Sequence, residues 1–280
     1  MNNGVRLPWP SLGSMHMFDW FKRVATPTTR EQLVDNENRT LSTEEKVERI
    51  VGRHGPYRGM ANGLPGGFAQ TRIIAVCSQK GGSGKTTISA HLAVQAGMAG
   101  QGPVVLVDTD PQGSLGEWWS ARNDGTAPLA TANLVDFAAN PAELRGRGAA
   151  IAIIDTPPAL TGSIEQIIAI ADMIVIPARP SPHDLRAIGA TVTMTRNAGK
   201  PFLFVINGAA PRANITAEAV AALSEHGRVA PVILYQRTDY AASMIDGHTV
   251  METVPGGRSA REIAELWKYV YAQISIRAAA

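Results

Sequence analysis

Residues 73–87 read Ile-Ile-Ala-Val-Cys-Ser-Gln-Lys-Gly-Gly-Ser-Gly-Lys-Thr-Thr. A β-branched apolar run, Ile73–Cys77, enters a glycine-rich turn, and helical apolar spacing from Lys85 to Ala99 follows it. Gly81, Gly82 and Gly84 carry no Cβ, so backbone N–H groups can turn inward around phosphate oxygens. The helix then points its first amides and the positive end of its dipole at the same anion. Lys85 supplies a charge for the β/γ phosphates and Thr86 a hydroxyl for Mg²⁺. The usual phosphate loop has a glycine where Gln79 stands, and here a second lysine, Lys80, opens the turn.

Working outward, short apolar runs alternate with helical stretches. Strands are expected at Ile73–Cys77, Val104–Val107, Ala150–Ile154, Met173–Ile176, Phe202–Ile206 and Val232–Leu234. Helices are expected at Lys85–Ala99, Leu115–Arg122, Ile164–Ile170, His183–Asn197, Ala217–His226 and Ser259–Ile274. The strands are apolar on both faces, which predicts a three-layer, doubly wound α/β fold whose mostly parallel sheet is flanked by helices. The second strand ends in Asp108-Thr-Asp-Pro-Gln-Gly113 and the third in Asp155-Thr-Pro-Pro158. Carboxylates at the carboxyl ends of parallel strands face the crevice where such sheets bind ligands. There they can hold the shell of a Mg²⁺ ion, directly or through water.

The chain has 280 residues, 45% hydrophobic and 18% charged, enough apolar surface for one sizeable core. No apolar run approaches the ~18 residues of a membrane span, and no secretory leader is visible. Cys77 is the single cysteine, so neither an intramolecular disulfide nor an all-cysteine metal site is available, and a reducing cytoplasm is expected. The net charge of +2 confines any nucleic-acid surface to a local patch. Residues 1–70 differ from the rest. They mix Pro, Gly, Asn and charge, close on the linker-like Met60–Gly67, and are expected to form a largely flexible extension to a domain at 71–280. Short helices at Phe18–Val24 and Glu44–Arg53 are conceivable within it. Trp118, Trp119 and Trp267 read as packing residues. His91, His183, His226 and His248 lack metal-ligand spacing.

Lys80–Thr87, Asp108–Gly113 and Asp155–Pro158 together resemble the deviant Walker A ATPases of the ParA/MinD group, within the phosphate-loop NTPase fold. The ParA branch is the more similar, through Trp118, Trp119 and Arg122, the segment Arg179-Pro-Ser-Pro-His-Asp-Leu185, and Gln236-Arg237, Gly247 and Val250-Met-Glu252. The resemblance spans residues 71–275. It implies ATP and Mg²⁺ as cofactors and an ATP-bound homodimer in which Lys80 reaches the partner's nucleotide. Gly81, Gly82, Ser83, Gly84, Lys85, Thr86 and Thr87 would hold the phosphates. Thr86, Asp155 and Asp108 would serve the metal, Asp110 the attacking water, and Asn207 the adenine. It further implies non-specific DNA binding by the dimer, through basic residues such as Arg212, Arg237, Arg258, Arg261 and Lys268. A ParB-like adaptor would stimulate hydrolysis, on the nucleoid rather than in a membrane. The alternative is a MinD-like membrane-associated ATPase, but Ile274–Ala280 is short and weakly basic for an interfacial helix.

Overall fold

The computed structural model describes residues 71–122, 129–131, 149–158 and 162–276. The expected helices and linker of residues 1–70 lie outside these. Seven strands form one sheet: β1 Arg72–Val76, β2 Val104–Asp108, β3 Leu129–Thr131, β4 Ile151–Asp155, β5 Met173–Ala178, β6 Phe202–Ala209 and β7 Arg228–Tyr235. Their order is β3-β2-β4-β1-β5-β6-β7, and every pairing is parallel. Between them run α1 Lys85–Met98, α2 Ser114–Ala121, α3 Gly162–Ile170, α4 Pro182–Asn197 and α5 Asn214–Ser224. After β7 come α6 Thr238–Ile245, α7 Val250–Thr253 and α8 Arg258–Ile276.

Alternate residues of each strand enter opposite cores, as the period of two requires. Ile74, Val76, Leu106, Ile153 and Val205 pack with α1, α2, α7 and α8. Ile73, Ala75, Ile154, Ile174 and Ile176 pack with α3, α4 and α5. The doubly wound expectation is therefore met. The sheet's middle strand, β1, lies between β4 and β5, and its carboxyl end opens into the crevice at the topological switch point.

Two features differ from the expected elements. β7 begins four residues earlier than the Val232–Leu234 run, because it is an edge strand that accommodates Pro231 where the register to β6 shifts between Phe204↔Val229 and Ile206↔Ile233. Helices α6 and α7 were not expected. α6 fully buries only Ser243, so its apolar stripe is weak. α7 is four residues long, but Thr249 and Glu252 form a capping box, a signal present in the sequence.

His91 is the one histidine buried in this packing, at 0% exposure. Val250 N–H donates to Nε2 at 3.2 Å, so Nδ1 carries the proton and donates to the Thr87 carbonyl at 2.7 Å. Burial pulls the imidazole pKa down to about 4 against bonds from Thr87 and charge from Glu252 that raise it. Between pH 4 and 6.5 the unfolded chain binds more protons than the folded one. Stability contributed by His91 is thus complete above 6.5 and falls as pH drops towards 4. In urea melts at pH 7.5 and 4.5, the wild type is expected to lose about 2–3 kcal/mol more than His91→Gln. Equal losses would show that the ring is not held neutral.

Candidate nucleotide site

Strand register explains why the carboxylates meet. Val76 pairs with Asp155 and Asp155 with Asp108, so the ends of β1, β4 and β2 lie side by side. The loop Ser78–Gly84 leaves β1 at that edge, and α1 begins at Lys85. Gly84 caps α1 with φ +96, and a Cβ there would stand 2.1 Å from Asn207 Nδ2. That amide donates to the Ser83 carbonyl at 2.7 Å, so the end of β6 braces the loop from below. Gly81 and Gly82 border open space, with nothing within 4 Å of a Cβ at either position.

Thr86 Oγ1 donates to Asp155 Oδ2 at 2.6 Å, and Ser89 Oγ to Asp155 Oδ1 at 3.4 Å. The loop Asp108–Gly113 is held by its own carboxylates. Asp108 accepts from the Asp110 and Gly116 amides at 3.0 and 2.9 Å, and Asp110 accepts from the Gln112 amide at 3.0 Å. Thr109 and Thr156 hydroxyls donate to strand carbonyls of Asp155 and Val76, fixing the two strand ends.

The electrostatics follow from burial. Asp155 is pushed up to about 7, chiefly by desolvation, with the Thr86 bond opposing and the Asp108 charge adding to the rise. Asp108 is raised for the same first reason. Lys85 is buried and lowered by desolvation, with Asp155 and Asp110 pulling it back up. Cys77, just before the loop, is pushed up to about 12 by burial and is inert as a nucleophile. Lys80 is exposed at the loop's mouth.

Asp155 and Asp110 pull on a single buried ammonium, with Asp108 beside Asp155, and the site favours additional positive charge. Its donors are hydroxyl and carboxylate oxygens, the set that suits Mg²⁺. Among the described residues no group of three or more His, Cys, Asp or Glu is placed to hold a metal alone. An ion here would draw most of its ligands from phosphate and water, as Mg²⁺ does in phosphate-transfer sites. Thr86 and Asp155 are the residues placed to receive it.

The remaining predicted residues fall elsewhere. Arg258, Arg261 and Lys268 are exposed on α8, at positions that share a face with Glu265. Arg212, at φ +61, follows β6 on the carboxyl edge of the sheet. Arg237 is bound to Glu262 through Nη2 at 2.7 Å and Nε at 3.1 Å, and lies 5.5 Å over the Tyr235 ring. Its charge is engaged within the fold by Glu262. Asn207 likewise spends its Nδ2 on the loop rather than holding it open for a base. The role of His91 beneath the loop was missed, since a lone histidine in a helix carries no spacing signal.

The solved structures similar to this chain include an ATP complex of Cyanothece McdA, at TM-score 0.60 and 18% identity, covering 71% of this chain and 96% of that one. They also include the septum site-determining protein MinD of Pyrococcus horikoshii with Mg-ADP, at TM-score 0.61 and 18% identity, covering 72% and 96%. In sequence, the chain is 34% identical over 201 residues to Maintenance of carboxysome distribution protein A of Halothiobacillus neapolitanus, covering 68% of this chain and 91% of that protein. It is 27% identical over 238 residues to the chromosome-partitioning ATPase Soj of Thermus thermophilus, covering 70% and 95%. No helix among the described residues is long and apolar enough to cross a membrane. Residues 74–250 match the model of the CobQ/CobB/MinD/ParA nucleotide binding domain, and the chain belongs to that family.

Proposed function

We propose that the protein is a Mg²⁺-dependent positioning ATPase of ParA type, which hydrolyses ATP to ADP and phosphate and distributes a cargo over the nucleoid. The observation that carries this reading is the meeting of buried Lys85, Thr86, Asp155, Asp108 and Asp110 around an open glycine cradle. Lys85 neutralises the β/γ phosphates, and Thr87 meets the α-phosphate at the start of α1. Thr86 would contribute its hydroxyl, held in place by Asp155, to a Mg²⁺ ion that would offset phosphate charge. Asp110, half-buried beside Asp108, is the group that orients the attacking water. Exposed Lys80 is free to reach across to a second protomer's nucleotide, so that full charge neutralisation awaits dimerisation. Asn207 fixes the loop through its Nδ2, and its amide oxygen is the group left for the adenine.

Arg258, Arg261 and Lys268 supply the basic face of the dimer for DNA without sequence preference. The cargo is a bacterial assembly of the kind that carboxysome-distribution and chromosome-partitioning relatives serve, and an adaptor of ParB-like role couples it to hydrolysis. Residues 1–70, outside the family match, form an extension appended to the ATPase domain at 71–280.

An Asp110→Ala variant, with ATP and Mg²⁺, is expected to elute as a dimer and to shift unrelated duplex DNA at low salt. The shift should disappear near roughly 0.5 M salt, since counterion release drives it. A monomer at saturating nucleotide, or no shift in any nucleotide state, would overturn the dimer and DNA readings respectively.

A further inference from the structure

The segment 245–254, which holds the turn into α7, is fastened to both nucleotide loops by side chains that the ATPase reading does not use. One fastening is His91. Its imidazole lies in α1, one turn beyond the phosphate loop, and joins the Thr87 carbonyl to the Val250 N–H at the first position of α7. The first amides of a helix have no partner within it, so His91 supplies from another helix what α7 lacks. The ring also meets Tyr240 of α6 edge-on, at 5.4 Å between centroids.

The second fastening comes from α2, which starts where the Asp108–Gly113 loop ends. Arg122, at its C-terminus, grips Glu252 of α7 through Nη2–Oε1 at 2.6 Å and Nη1–Oε2 at 3.1 Å. Nη1 also donates to the Gly247 carbonyl at 2.9 Å, and Trp118 Nε1 to the His248 carbonyl at 3.0 Å. Burial raises the Glu252 carboxyl, but the Arg122 and Thr249 bonds outweigh it and leave the group below its ordinary range, charged and held. At its other end α2 is tied to Asp108 through the Gly116 amide. Each nucleotide loop therefore ends in a helix bound to α7, and Ile245 and Val254 stand exposed at 76% and 50% at the ends of the bound segment.

We propose that His91 is a positioning residue that couples nucleotide occupancy of the phosphate loop to the conformation of segment 245–254, with the Arg122–Glu252 pair as the matching link to the Asp108 loop. The inference rests on the nucleotide-binding reading above. Any change in the Thr87 turn or in the angle between α1 and α2 is resisted or transmitted at α7, because its amide is held from α1 and its carboxylate from α2. Coupling of this kind is reciprocal: what nucleotide does to α7, α7 does to nucleotide affinity.

The test is amide hydrogen exchange of peptides covering 245–254 in the full chain, with and without Mg²⁺ and a non-hydrolysable ATP analogue. Analogue affinity is measured separately by titration. In the wild type, exchange is expected to change by about 5-fold or more on binding. In His91→Phe, which keeps the ring volume and loses both nitrogens, the analogue still binds but the change disappears. His91→Gln, which offers an amide oxygen to Val250 N–H, should recover part of it. Glu252→Gln, which loosens the Arg122 link and leaves the His91 bonds to Thr87 and Val250 available, should also reduce the change, and serves should His91→Phe fail to fold. A role confined to packing would lower the melting temperature and leave the nucleotide-dependent difference intact. An unchanged difference in the variants, or none in the wild type with analogue bound, would overturn the coupling. A wild type that binds no analogue would overturn the nucleotide reading itself and the coupling with it.

Discussion

Lys85→Ala is expected to weaken ATP binding by roughly 10²- to 10³-fold in Kd, with turnover lost in proportion. Lys85 is 7% exposed and is the one buried cation facing the carboxylates Asp155 and Asp110 in the described site. Each charged hydrogen bond to phosphate is worth about 1.5–3 kcal/mol, and losing two at the lower end of that range accounts for about 3–4 kcal/mol. No neighbour can substitute, since Lys80 stands exposed at the mouth of the loop and Cys77 is uncharged. Removing Lys85 also leaves those carboxylates facing an incoming polyanion without their buried counter-charge. Lys80→Ala should behave differently. Isothermal titration is expected to give a Kd within about 3-fold of wild type, because an exposed amine adds little to binding in water. Its turnover should nonetheless fall by roughly 10² or more if the amine completes a partner's site. Equal loss of binding in both variants would show that the two lysines share one task in one protomer.

The loop itself is legible because its chemistry lies in consecutive residues, whereas the separate task of Lys80 comes from the resemblance to the ParA/MinD group. Lys85, Thr86 and the glycines sit on a strand–turn–helix whose geometry is set locally, and the apolar strands reveal where Asp108 and Asp155 must end. Their meeting follows from parallel register, which pairs Asp108 with Asp155 and Asp155 with Val76. What stayed hidden depends on contacts far apart in sequence. Arg237 looks like any surface cation until α8 brings Glu262 against it, 25 residues on. His91 gains its meaning from Val250, 159 residues away. The strand Leu129–Thr131 is too short to carry a period of two, and β7 extends ahead of Val232 because its edge position and register shift accommodate Pro231. Local chemistry is written in spacing, whereas the partners of isolated charged or aromatic groups are decided by packing.

Gly247→Ala is expected to destabilise the fold by about 2–5 kcal/mol. Gly247 has φ +72, and a Cβ there would stand 2.4 Å from the Arg122 backbone nitrogen and 2.7 Å from the Ala121 carbonyl carbon. Both obstacles are main chain at the end of α2, so no rotamer change relieves them. The left-handed backbone costs an alanine about 1–2 kcal/mol, and the overpacking adds about 1–3 kcal/mol. Gly256 supplies the control, because its φ is +73 and a Cβ there meets nothing within 4 Å. Gly256→Ala carries the backbone cost alone and should lose only about 1–2 kcal/mol in urea melts. The difference between the two variants measures how tightly the α6–α7 turn is seated on α2. Parting those surfaces also stretches the Arg122 bonds to the Gly247 carbonyl and to Glu252. A Gly247→Ala loss no larger than that of Gly256→Ala would show that the turn yields without cost, and that α2 and α7 are not rigidly joined.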